Sequence, residues 1–155
     1  MRHVAVDTNL LLLLLIGTVA PEFVERHKRL RAYDLDDYRL ILEFLIDAES
    51  VVITPNVATE LVNLAGQGVS EPLRTELFVH LKNWLPTLPE LALSTARAVT
   101  VPEFTRLGLT DSVWLAALEP GTELLTDDIT LYLAALRRGL PATNLNHIRE
   151  SVAFG

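Results

Sequence analysis

Five carboxylates of this 155-residue chain stand where they could act together: Asp7, Glu60, Asp111 and the adjacent Asp127 and Asp128. Their oxygens suit hard cations such as Mg2+ or Mn2+ better than softer metals. A cluster of acids repels itself, and its pKa values rise, unless cations neutralise it. Paired divalent ions about 3.5–4 Å apart lower the pKa of a bound water, orient a phosphodiester and stabilise the leaving oxygen of an in-line displacement. Other chemistries are poorly served. The chain has no cysteine, which removes disulfides, thiolate zinc sites, iron–sulfur clusters and cysteine nucleophiles together. His3, His27, His80 and His147 are scattered without metal-ligand spacing, and there is no glycine-rich phosphate loop.

The elements around the acids follow from apolar patterning. Val4 to Val6 predict a short buried strand, stopped by Asp7-Thr8-Asn9, which can cap a helix beginning in the leucines. That helix is apolar on every side from Leu10 to Ile16, as expected in the middle of a domain. Pro21 to Asp34 is polar, holds Arg26, Lys28, Arg29 and Arg31, and reads as an exposed arm. Tyr38, Ile41, Leu42 and Leu45 share a face of a helix from about Leu35, and Val51 to Ile53 form a second strand.

Thr54-Pro55 is a strong helix start. Val57, Leu61 and Leu64 lie on one face of that helix, and Glu60 stands on the neighbouring polar stripe with Asn56, Asn63 and Gln67. Further helices are expected over about 71–84 and from a cap at Thr110-Asp111-Ser112 to Leu118, with short helical pieces between 91 and 107. Leu124-Leu125 predict a third strand, ending at Thr126-Asp127-Asp128. The helix beyond it carries Ile129, Tyr132, Leu133 and Leu136 on one face, and 142–145 predict a last strand. Short apolar strands alternating with helices specify an α/β fold: a three-layer α/β/α sandwich around a mostly parallel sheet, in one domain over 1–155.

Taken singly, Asp7, Asp111 and Asp127 read as helix caps, Glu60 as a solvated residue and Asp128 as a first-turn charge on the helix dipole. Capping does not anticipate that Asp7 and Asp127-Asp128 both follow strand ends, the edge at which open parallel sheets bind ligands. The net charge of -7 argues against holding nucleic acid by bulk attraction and is ordinary for a soluble cytoplasmic protein. Arg2 followed by the leucines looks superficially like a secretory signal. Asp7 and Asn9 interrupt it, and the run is too short to span a membrane.

The strings Val4-Ala5-Val6-Asp7-Thr8-Asn9-Leu10-Leu11, Thr54-Pro55-Asn56-Val57-Ala58-Thr59-Glu60-Leu61, Leu109-Thr110-Asp111-Ser112 and Leu124-Leu125-Thr126-Asp127-Asp128 resemble, in order, the four acidic motifs of the PIN domain family. The resemblance covers nearly the whole chain, whose length is similar to that of the VapC toxins of bacterial toxin–antitoxin pairs. It implies a metal-dependent endoribonuclease in which Asp7, Glu60 and Asp111 hold metal, with Asp128 as the fourth acid and Asp127 its close rival. Thr8, Asn9 and Thr126 would orient those carboxylates. An antitoxin partner and a homodimer are implied in the same way. The chain departs from the compact toxin pattern by an insertion at about 21–37, whose Arg26, Lys28, Arg29 and Arg31 could contact RNA phosphates, as could Arg137-Arg138. Two other readings stand beside this one. A haloacid-dehalogenase-like phosphatase would need a second aspartate where Asn9 stands, and a non-catalytic PIN-fold module would bind RNA or protein without cutting.

Overall fold

The computed structural model describes residues 1–154. Strand β1 (His3–Val6) buries Val4, Ala5 and Val6 completely, and helix α1 (Thr8–Val19) starts directly after it. Asp7 caps that helix, its carboxylate accepting the Thr8 N–H at 2.9 Å. Leu10 to Ile16 are all buried, so α1 is packed on all sides, as its leucines predict. Each such side chain contributes roughly 1.5–3 kcal/mol relative to exposure. Gly17 does not end the helix but lies within it. A β-carbon there would overlap the Tyr38 ring at 2.3 Å, so the glycine lets the next helix pack flush against α1.

The segment 21–34 corrects the expectation of an exposed arm. After a single 3-10 turn over Pro21–Phe23, Val24, His27, Leu30 and Tyr33 are buried at three-residue spacing, with the charged residues between them facing out. His27 fixes its middle: Nε2 donates to the Ala65 carbonyl at 3.3 Å and Nδ1 accepts the Arg29 N–H at 3.1 Å. Those partners require the neutral ring. Burial accordingly holds the His27 pKa below its ordinary value.

Helix α2 (Leu35–Leu45) opens with a reciprocal capping box between Asp34 and Asp37. Ile41 is buried, but Leu42, expected on the same face, is exposed. Strand β2 (Ser50–Val52) begins one residue before its expected place, and Ile53 instead bridges to Glu90. Helix α3 (Pro55–Ala65) is capped by Thr54, whose hydroxyl accepts the Val57 N–H. Then come α4 (Leu73–Trp84), the short α5 (Thr95–Ala98) and α6 (Phe104–Leu107), and α7 (Leu109–Ala117). Gly108, at φ +86°, turns the chain into α7. Asp111 therefore lies inside the first turn of α7 and is not its cap.

Strand β3 (Thr122–Thr126) leads to helix α8 (Ile129–Arg137). The face of α8 that packs inward is Leu131, Ala134 and Ala135, whereas Ile129, Leu133 and Leu136 are exposed, the reverse of the periodicity reading. The helix is apolar nearly all round, so its pattern selects no face, and the two alanines permit the closer approach to the sheet. Strand β4 (Ala142–Asn144) is followed by α9 (Leu145–Phe154), which the sequence reading did not include.

The four strands are all parallel in the order β2-β1-β3-β4, and helices cover the sheet as in a three-layer α/β/α sandwich. From β1 the chain moves outward to β2, and from β3 outward to β4 on the other side. The strand order therefore reverses between β1 and β3, and a crevice opens there at the carboxyl ends of the strands. Among the described residues, no helix is long and apolar enough to cross a membrane.

Candidate functional site

At that crevice lies a cavity of about 480 Å3, lined by Asp7, Glu60, Asp111 and Asp128 together with Thr8 and Asn9. Four elements deliver the acids: the β1–α1 junction, the middle of α3, the first turn of α7 and the β3–α8 junction. A second cavity of about 540 Å3 adjoins the first and shares Glu60 and Asp111 with it.

Each carboxylate has a different anchorage. Asp7 accepts the Thr126 hydroxyl at 2.8 Å on its second oxygen, and the same hydroxyl accepts the Asp128 N–H at 3.0 Å. Thr126 thus ties the two strand ends together. Glu60, although exposed, is held on both oxygens, by Thr8 at 3.2 Å and by Thr110 at 2.5 Å. Asp128 caps α8, one oxygen accepting the N–H groups of Thr130 and Leu131 and the Thr130 hydroxyl. Among the described residues the Asp111 side chain accepts no hydrogen bond.

Burial dominates the electrostatics of Asp7, pushing its pKa up to about 6 against the opposing Thr126 and Thr8 hydrogen bonds, with the Asp127 and Asp128 charges adding to the rise. Asp111 is pushed up to about 7, first by burial and then by the charges of Asp7, Asp128 and Glu60. Burial is thus the main cause of both shifts, and the neighbouring carboxylates add to it.

Asp127 is drawn away from the cavity. Its side chain accepts the Tyr33 hydroxyl, and its carbonyl accepts the Asn146 amide. Arg149 completes this cluster, donating to Asp37 at 2.6 Å and to Asn146 at 2.8 Å while its guanidinium lies over the Tyr33 ring. Burial and the bond to Asp127 raise the Tyr33 pKa, keeping the phenol a donor. Of the two adjacent aspartates, Asp128 faces the cavity and Asp127 the cluster behind it.

Thr8 and Thr126 make carboxylate hydrogen bonds, whereas Asn9 lines the cavity without one among the described residues. Of the basic residues in 21–37, Arg29 lines the cavity, while Arg26, Lys28 and Arg31 do not. Arg138 pairs with Glu103 at 3.0 Å, and with Arg137 it stands at the end of α8 remote from Asp128. The sequence reading missed Thr110, Asn63, Tyr33 and Arg149. Thr110 was within reach, being next to Asp111. Tyr33 and Arg149 had no local signal, because their roles come from contacts 94 and 112 residues away in the chain.

The carboxylates offer only oxygen donors, a chemistry that fits a hard divalent ion. The side chains are not closed on one, however: among the described residues no three His, Asp or Glu side chains are disposed to hold a single metal ion. The Glu60 and Asp128 carboxylates are instead turned toward hydroxyl and N–H donors. No protein-family model matches the chain, and no curated protein is significantly similar to it.

Proposed function

We propose that this chain is a PIN-type, metal-dependent endoribonuclease. The observation that carries the reading is that Asp7, Glu60, Asp111 and Asp128, far apart in sequence, line one cavity at the switch point of a parallel sheet. Asp7, Glu60, Asp111 and Asp128 would hold Mg2+ or Mn2+, which supplies neutralisation of the phosphodiester and activation of the attacking water. Asp127 would contribute charge from behind.

The chain's own residues do the positioning. Thr126 presents Asp7, while Thr8 and Thr110 fix the Glu60 carboxylate over the border between the two cavities. Asp111, whose side chain accepts no hydrogen bond among the described residues, is the acid most able to turn toward a ligand. No side-chain nucleophile is needed in this reading, and the only hydroxyl lining the cavity among the described residues, that of Thr8, is donated to Glu60. The test is cleavage of end-labelled RNA by purified protein in manganese, in magnesium and in chelator. The reading expects cutting that requires metal, and equal cutting in chelator contradicts it.

The open disposition of the carboxylates favours a second reading, a non-catalytic PIN-fold module that binds RNA or a protein. Metal binding without cleavage of any RNA would support it. A toxin role with an antitoxin partner and a homodimer are what the resemblance would imply, and a cytoplasmic location is what the acidic charge balance would suit. The exposed row Ile129, Leu133 and Leu136 on α8 is apolar surface that a partner could bury.

A further inference from the structure

Among the described residues, Arg29 is the only cation lining the acid cavity. The backbone beneath it is fixed, because its N–H is held by His27, His27 is held by the α3 carbonyl of Ala65, and Leu30 beside it is fully buried. Its side chain is nevertheless exposed, and among the described residues it makes neither an ion pair nor a hydrogen bond.

If the guanidinium served as counter-ion to the acids, a carboxylate would be paired with it. Instead Glu60 takes two threonine hydroxyls and Asp128 takes the start of α8. A fixed backbone presenting an uncommitted, planar set of five N–H donors at the rim of an acidic cavity matches an incoming phosphate, which guanidinium binds in bidentate fashion. Arg26, Lys28 and Arg31 lie outside the cavity.

Resting on the nuclease reading, we infer that Arg29 binds the non-bridging oxygens of a phosphodiester in the substrate strand and positions that strand over the acids. The segment 21–34 is then part of the substrate site and carries one arginine to it.

The test compares wild type with Arg29→Ala, Arg29→Gln and Arg29→Lys in the full chain. A fluorescein-labelled single-stranded oligoribonucleotide is titrated in calcium at several KCl concentrations, with the strand checked to be intact afterwards, and calcium affinity is measured separately. Loss of one charge-assisted contact should weaken binding of the Ala and Gln variants about tenfold. One fewer phosphate contact should flatten the slope of log affinity against log salt by about 0.7 for a single strand. Arg29→Lys should keep the wild-type slope, calcium affinity should stay within about twofold in all variants, and in cleavage KM should rise while kcat holds. A merely structural role would not move the salt slope. Wild-type affinity and slope in Arg29→Ala would overturn the inference alone. Markedly tighter calcium binding in that variant with unchanged RNA binding would do the same, making Arg29 the acids' own counter-ion. A wild type that binds no RNA under any of these conditions would overturn this inference and the nuclease reading together.

Discussion

Asp7 and Asp111 bind protons more readily in the folded protein than in the unfolded chain, with pKa values of about 6 and about 7 against ordinary carboxyl values near 4. Between those limits the native state holds more protons than the unfolded state, so stability falls as pH rises from about 4 through 7. In chelator, the melting temperature should therefore decline from pH 5 to pH 8. Asp111→Asn, which cannot ionise, should decline less, and adding Mn2+ at pH 8 should restore the wild type. Parallel curves for variant and wild type would show that Asp111 does not titrate in this window. Thr126→Val removes a hydroxyl that serves Asp7 and Asp128 at once, and initial cleavage rates should fall by about 10–100-fold, the usual effect of losing a group that orients a ligand. At this scale Asp7 and the Asp127-Asp128 pair were legible because they stand beside a threonine at the end of an apolar strand, whereas Glu60 and Asp111 lie on helices and stood out only through the motif resemblance. Which of Asp127 and Asp128 faces the cavity was not legible, since Tyr33, 94 residues away, decides it.

Among the elements, those with an unambiguous local signal were read correctly: α1, apolar on every side, and α3, with its threonine cap, proline start and single apolar face. The pattern failed where it was ambiguous or dispersed. Helix α8 is apolar around most of its circumference, and its inward face is chosen by the fit of Ala134 and Ala135 against β3 and β4. The contrast is measurable by denaturant unfolding. Leu131→Ala should destabilise by about 2–5 kcal/mol as a core truncation, and Leu133→Gln by less than about 0.5 kcal/mol as a surface change. Equal effects would mean that the helix is rotated from the orientation described. The segment 21–34 misled for another reason. Its buried residues recur every third position among charges, so average polarity conceals four anchors, one of them the histidine beneath Arg29.

Over the whole molecule, the strand order matters most. A chain with β1 and β3 as neighbours and their connections leaving in opposite directions brings residues 7 and 128 to one crevice, and α3 and α7 add residues 60 and 111. Alternating apolar strands and helices made the α/β class readable in advance, and the fully parallel order agrees with it. The net charge of -7 leaves little general attraction for a polyanion, so binding of RNA would rest on the cavity itself: its acids, the cations they attract and Arg29. The most direct measurement is metal-dependent cleavage of end-labelled RNA by wild type and Asp7→Asn, purified side by side and shown by circular dichroism to be equally folded. The account predicts cutting in manganese or magnesium that falls by more than about 100-fold in the variant, exceeding the loss typical of an outer ligand-orienting group. Cutting at the wild-type rate by Asp7→Asn would contradict it.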